Sequence, residues 1–397
     1  MAMSNSISRH DYVKVLKKEY GKARLAGDKK QKTELLNVAA VFTGLHRKYL
    51  IRLLADHKKK YPSGFARGGK GKRGRKPVYD STGFMAALLI CWRAVNQCCA
   101  ENLQPYMPEL IPKLEACSEL HVSPSVRELL LRASISTIAR KLKAHRTRDR
   151  VPLGISTTKP GTTLRSQVAI RKGRWEETEP GCLETDTVAH CGEVNVGTYV
   201  HSYDFVDIAT SWSEQCAALG VGERATIVAA DAARKRFPFA ITGIDSDNGS
   251  EFLNGHLFRY CKSNSINFTR SRPYRKNDNA HVEQKNNTAI RKMVGYARFD
   301  TEEQLAILQE LYSGPLRLYL NFFQPTRKRR AKVVDTRSGK KRKTYFEAMT
   351  PYQRVMRSVI VDEAAKRLLE STYNNLNPVK LLAEVRSLLD RLARTLR

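Results

Sequence analysis

The chain has 397 residues, 41% of them hydrophobic, and carries 70 Lys and Arg against 39 Asp and Glu, a formal charge of +31. That length accommodates two to four domains with at least one large core, and so basic a chain is expected to meet a polyanion. No run of 18 apolar residues is present and the opening MAMSNSISRHDYVKVLKK has no apolar signal region, so neither membrane spanning nor secretion is expected.

In chain order, Tyr12, Val13, Leu16, Tyr20 and Ala23 recur at helical spacing. A second apolar pattern over 32–54 breaks at Gly44 after the small pair Ala39 and Ala40, as two closely crossing helices with a tight turn require. This predicts a helix-turn-helix domain over 1–56 whose second helix turns Arg47, Lys48 and Arg52, with His46, toward DNA. A plain helical hairpin with a solvated basic face fits the same pattern. Residues 57–78 combine Gly, Pro and dense Lys and Arg, which predicts a flexible linker meeting phosphate through Arg73, Arg75 and Lys76.

A second helical domain is expected over 79–145. Phe84, Ala87, Leu88, Cys91, Trp92 and Val95 fall on one helical face, and Pro105, Pro108 and Pro112 divide the next stretch into short helices and turns. Ser123-Pro124 opens a helix, and 126–142 reads as another helix-turn-helix, with Ser134, Ser136, Thr137, Arg140 and Lys141 outermost. A purely structural helical bundle fits there too. Residues 146–180, rich in Thr, Gly and Arg, read as an extended linker.

From 181 the periodicity changes to that of strands. Strands are expected over 182–191, 197–209, 212–219, 239–244 and 266–271, with helices over 223–237, 252–264, 278–296 and 301–323. Periodicity alone makes this a mixed α/β domain. Asp186 lies within the first strand, Asp247 follows the fourth, and Glu283 opens a helix after the polar turn Arg275-Lys-Asn-Asp-Asn. A carboxylate at the carboxyl end of a buried strand sits where α/β proteins bind ligands. Glu184 and Asp245, two residues from Asp186 and Asp247, share their strand faces, so spacing leaves both pairs open.

Asp186, Asp247 and Glu283, with 35 residues between the last two and SDNGSEF around the second, resemble the DDE triad of the retroviral-integrase and transposase superfamily. SRPYRKNDNAHVEQKN and LYLNFFQP are similar to a bacterial insertion-sequence transposase group with that core. The resemblance covers roughly 180–325. It implies an α/β ribonuclease-H-like catalytic core over 181–325, a mixed five-stranded sheet with helices. All-α helix-turn-helix domains would precede it and a small basic β/α region over 326–397 would follow. It further implies that the triad binds two Mg²⁺ or Mn²⁺ ions for phosphoryl transfer.

The expected partners are double-stranded DNA, both element ends and target, and further copies of the chain on that DNA, with no membrane. The expected location is cytoplasmic, on the nucleoid. A catalytically silent DNA-binding regulator and a hydrolysis-only nuclease are the alternatives.

The acid preceding Asn-Gly is the family's, which favours Asp247, while Glu251 reads as a surface acid and His281 as either a DNA neighbour or a packing residue. Integrases place lysines four and seven residues after the glutamate, where this chain has Asn287 and Ile290. Contact with DNA ends is therefore expected from Arg272, Arg275, Lys276, Lys285, Arg291 and Lys292. Integrases also carry an N-terminal His/Cys zinc domain, but no cysteine precedes Cys91 here, and the eight cysteines form no CxxC pair. Reduced thiols are expected.

Charge follows the same division. Residues 1–80 hold 21 Lys and Arg against 6 acids, 181–325 hold 15 against 17, and 326–397 hold 19 against 7. Basic arms would hold the polyanion while acids gather metal at the centre. Residues 326–346 resemble a basic hairpin turning at Ser338-Gly339 with DNA backbone as its expected contact. Thr350-Pro starts a capped helix, and leucines at helical spacing over 361–396 are expected to pair with another subunit.

Overall fold

The computed structural model describes residues 9–54, 78–146, 169–170, 179–246, 255–271, 280–334 and 341–396. The chain divides between residues 76 and 77 into two compact units.

The first unit comprises α1 (Arg9–Leu25), α2 (Lys29–Thr43) and α3 (Arg47–Leu54). Asp28 caps α2 by accepting the Gln31 N–H at 2.9 Å. Gly44 ends it at φ 70°, a left-handed conformation that a Cβ would strain, and α3 starts three residues later. Leu16, Tyr20, Leu36, Ala39, Leu50 and Leu54 form the unit's small core.

The second unit opens with α4 (Thr82–Ala94), α5 (Ala100–Ala116), α6 (Pro124–Arg132) and α7 (Ile135–Leu142). The expectation that prolines fragment this stretch is corrected, because α5 is one helix holding Pro105, Pro108 and Pro112. Pro108 and Pro112 are exposed and Pro105 half-buried, while Leu103, Tyr106, Met107, Leu110, Ile111 and Leu114 on the other side are buried. Burial of six large apolar side chains outweighs the hydrogen bonds that the prolines remove.

The central sheet runs β1 (Ala169–Ile170), β6 (Asn267–Arg270), β5 (Gly243–Ser246), β2 (Cys182–Ala189), β3 (Val200–Asp207), β4 (Ser213–Leu219). β2, β3 and β4 are mutually antiparallel neighbours, while β5 and β6 lie parallel to β2. This order, with helices on both faces, makes the core ribonuclease-H-like. β1 comes from the stretch read as a linker and adds a sixth, two-residue strand. The fourth strand begins at Gly243 rather than Phe239, whose ring instead tilts against Phe237 at 5.6 Å.

α8 (Glu223–Arg234) and α9 (Gly255–Ser263) flank β5 in sequence, and α10 (Ala280–Lys285) continues through a π-helical stretch, Asn286–Arg291. The single helix expected over 301–323 is two, α11 (Glu302–Ser313) and α12 (Pro315–Phe323). Pro315 lacks the donor a helix interior needs, and a Cβ on Gly314 would meet the Glu310 carbonyl oxygen at 2.8 Å. β7 (Arg329–Val334) and β8 (Lys341–Tyr345) form a separate antiparallel pair, followed by α13 (Pro351–Arg357), α14 (Glu363–Asn375) and α15 (Pro378–Arg394).

Both faces of the sheet are covered. Leu183, Tyr203, Phe205, Trp212 and Cys216 pack with α8 and α12, and Val188, Val200 and Ala217 pack with α11 and α15. The leucines of α15 do not await another subunit: Leu381, Leu382, Leu388 and Leu392 are buried within this chain, satisfied by the core they complete. The α4–α7 block joins the same unit through hydrogen bonds of Tyr319 Oη to the Ala94 carbonyl (2.9 Å) and Asn102 Nδ2 to the Pro325 carbonyl (2.9 Å). Among the described residues no helix is long and apolar enough to cross a membrane.

Candidate active site

β2 presents Glu184 and Asp186 on one face, two residues apart. Asp204 of β3 stands opposite Asp186, and Asp245 of β5 stands beside Glu184. Four carboxylates on one sheet face repel each other and, once buried, must find partners. Three of them are buried and held by the protein. Glu184 Oε2 accepts the backbone N–H groups of His281 (2.8 Å) and Val282 (3.1 Å). Asp245 Oδ1 accepts the Thr269 hydroxyl at 2.6 Å. Asp204 Oδ1 accepts the Gln215 side-chain amide at 2.9 Å and lies in the field of the Lys285 ammonium.

Asp186 differs from these three in being only half-buried. Its Oδ1 accepts the Thr187 N–H and its Oδ2 accepts the Asn286 side-chain amide, both at 2.8 Å. Asn286 lies three residues after Glu283, hence on the same side of the helix, and Glu283 is exposed. Asp186 and Glu283 are thus the solvent-reaching acids on facing elements, while Glu184 and Asp245 are engaged in structure. Burial therefore gives the two acids of β2 different environments. Asp247, which directly follows the last residue of β5, lies outside the described residues, as do Glu251, Arg272, Arg275 and Lys276.

Lys285 needs a correction. Expected to meet phosphate, it is 6% exposed and buried on the sheet face beside Asp204. Burial pushes its ammonium down to about 8, while burial raises the Asp204 carboxyl to about 7. Each charge offsets the desolvation of the other. Ile290, where integrases carry a lysine, is fully buried in the core, whereas Asn287 is exposed. Arg291 is half-buried with its guanidinium 4.6 Å from the Tyr296 ring centroid, and Lys292 is exposed. His281 is half-buried, with its backbone N–H committed to Glu184.

Beneath Arg291, the ring of His190 bonds the Ser202 hydroxyl at 2.7 Å, which in turn bonds the Tyr312 hydroxyl at 2.7 Å. Burial draws the His190 imidazole down to about 3, and its ring tilts against Phe299 at 5.2 Å.

The other expected DNA contacts are dispersed. Lys48 and Arg52 are exposed on α3, while Arg47 is half-buried and bonded to Asn37. Arg140 is exposed on α7, but Lys141 is paired with Asp80 and Thr137 is buried against the α7 cap Ser134. Arg73, Arg75 and Lys76 lie outside the described residues. Among the described residues no three His, Cys, Asp or Glu side chains cluster as a metal site, and all eight cysteines are free thiols.

Sequence reading missed Asn286, the helix-capping role of Glu184 and the Asp204–Lys285 pair. Asp204 carried a signal, being an acid in the middle of the otherwise strand-like Val200–Asp207. Asn286 carried none, because an asparagine one turn beyond an acid is unremarkable until the strand beneath it is known.

No protein-family model matches the chain. It is 37% identical over 306 residues to "Uncharacterized protein y4rM" of Sinorhizobium fredii, covering 76% of this chain and 83% of that protein. Solved structures similar to it include retroviral integrase catalytic cores. One is the HTLV-2 integrase core in complex with magnesium, with TM-score 0.28 and 16% identity over 41% of this chain and 94% of that one. Another is the BIV integrase core, with TM-score 0.29 and 15% identity over 43% and 91%. A simian T-cell lymphotropic virus intasome complex covers 58% and 71%, with TM-score 0.29 and 15% identity.

Proposed function

This chain belongs to the family of the Sinorhizobium fredii protein y4rM, and we propose that it is a DDE polynucleotidyl transferase acting as the transposase of a mobile DNA element. One observation carries the reading: Asp186 on β2 and Glu283 on α10 are the acids that reach solvent on facing elements of a ribonuclease-H-like core, tied by the Asn286–Asp186 hydrogen bond. Asp247, one residue past β5 in the words SDNGSEF, supplies the third acid of the reading.

The donors are carboxylate oxygens only, a set that fits Mg²⁺ or Mn²⁺ rather than softer metals. Bound there, such ions would neutralise phosphate charge and activate the attacking oxygen. The protein's part is placement. Asn286 fixes the rotation of the Asp186 carboxylate, and Glu184 ties β2 to the first turn of α10. In the proposed reaction water attacks the phosphodiester at the element end and frees a 3′-OH. That hydroxyl then attacks a target phosphodiester, one P–O bond forming as another breaks, with no covalent protein intermediate. The exposed Lys48 and Arg52 of α3, Arg140 of α7 and the basic β7–β8 hairpin would hold double-stranded DNA by its phosphates, with further copies of the chain joining on the DNA.

The test incubates purified protein with its element ends, a target plasmid and Mg²⁺ or Mn²⁺, and compares Asp186→Asn, Asp247→Asn and Glu283→Gln. Each variant should retain the wild-type melting temperature and lose at least about 10²-fold in cleavage and joining, the value of several kcal/mol of charge stabilisation. Joined products that persist in these variants would remove the mechanism. Cleavage without joining would assign a nuclease instead.

A further inference from the structure

We propose that Glu184 is a positioning residue for the active site: its carboxylate locks the start of the Glu283 helix onto the strand that bears Asp186. The inference rests on the metal-site reading above. Glu184 is 2% exposed, and an acid buried there needs a reason. The reason lies in what it touches. Oε2 accepts two backbone N–H groups, from His281 at 2.8 Å and Val282 at 3.1 Å, at the first turn of α10. Those are donors that no turn of the helix itself can satisfy, and a negative charge at that end is favoured by the helix dipole.

The second tether lies further along the same two elements, where Asn286 Nδ2 donates to Asp186 Oδ2 at 2.8 Å. The two attachment points match in length. From 281 to 286 the helix advances about 7.5 Å, and from 184 to 186 the strand advances about 6.7 Å. Strand and helix therefore run alongside each other in the same direction, pinned twice. Glu283 falls between the pins, so its height against Asp186 is set by Glu184 at one end and Asn286 at the other. A single tether would leave the helix free to pivot. Removing Glu184 would let the first turn fray and Glu283 wander, with Asp186 itself untouched.

Two readouts on the full-length protein test this, neither of which needs turnover. Amide hydrogen exchange at His281 and Val282 should quicken at least tenfold in Glu184→Ala. It should quicken less in Glu184→Gln, which keeps one acceptor oxygen. Mn²⁺ affinity, followed by the electron paramagnetic resonance of the free ion, should weaken about tenfold or more in Glu184→Ala and by a smaller factor in Glu184→Gln, as loss of outer-sphere support does. Phe323→Leu, a core change remote from the tethers, serves as a control for general loosening and should leave Mn²⁺ affinity unchanged at a comparable drop in melting temperature. The inference is overturned by unchanged exchange at 281–282 in Glu184→Ala, by unchanged Mn²⁺ affinity despite faster exchange, or by an equal loss in Phe323→Leu. Absence of Mn²⁺ binding by the wild type, with exchange responding as described, would instead sink the metal-site reading on which the inference stands.

Discussion

Lys285 offers the sharpest single perturbation, because sequence and structure assign it different work. Replacing it with methionine keeps the stem and removes the ammonium, leaving the fully buried Asp204 with its Gln215 hydrogen bond and no counter-charge. Leaving a buried carboxylate without its nearby compensating charge costs up to about 3–5 kcal/mol. The unit spanning 77–397 should unfold with an entropy of about 0.7 kcal/mol per kelvin, so the melting temperature should fall by about 4–7 °C. The deficit should depend on pH. Burial raises the Asp204 carboxyl from 3.8 to about 7, so the folded state binds its proton more tightly than the unfolded chain. A raised carboxyl costs stability as pH climbs through that window, and without Lys285 the cost keeps growing above 7. The variant should therefore lie furthest below wild type at pH 8 and approach it at pH 5.5.

Adding Asp204→Asn should restore most of the loss at pH 8, since the uncompensated charge is then gone. Differential scanning calorimetry of the wild type, the single variant and the double variant at both pH values measures all of this. A Lys285→Met protein that melts within 1 °C of wild type at pH 8, and whose DNA affinity loses about one unit of salt slope, would refute the burial and return Lys285 to the phosphates.

Two further outcomes follow from other parts of the chain. Glu214 is fully buried and accepts from Trp212 Nε1 (2.8 Å), Arg236 Nε (2.8 Å) and Arg317 Nε (2.8 and 2.9 Å), so Glu214→Leu should lower stability in urea by about 3–5 kcal/mol. A loss under 1 kcal/mol would mean the two guanidiniums find water as readily. On the β7–β8 hairpin, Lys341, Arg342 and Lys343 are consecutive and exposed, a concentration of like charge that a polyanion would relieve. Replacing Arg342 and Lys343 together by alanine should reduce the slope of log affinity for DNA against log salt by about two; an unchanged slope would take the hairpin out of the DNA surface.

The local elements were legible wherever one physical signal dominated. Gly44 after Ala39 and Ala40 marked the turn between α2 and α3, because a left-handed residue and close helix approach both need small side chains. Strand alternation placed β2, β3 and β4 to within a few residues. The errors came where packing outweighs local preference. Three prolines read as breaks lie on the outer side of a helix whose other face is deeply buried. Leucines of α15 that could have served another subunit are consumed by α11 and α12.

By itself, then, the order of residues determined the strand and helix repeats, the uneven charge and which acids stand near strand ends, since each of these depends on neighbours a few positions away. Only the tertiary structure decided what each acid touches. Glu184 and Asp186 are chemically alike and on one face of one strand, and they part only because α10 sets its backbone donors over the first and an amide over the second. Lys285 likewise came into the field of Asp204 because the fold brings together residues 81 positions apart. Burial and hydrogen-bond partners belong to the folded neighbourhood, and no spacing rule along the chain encodes them.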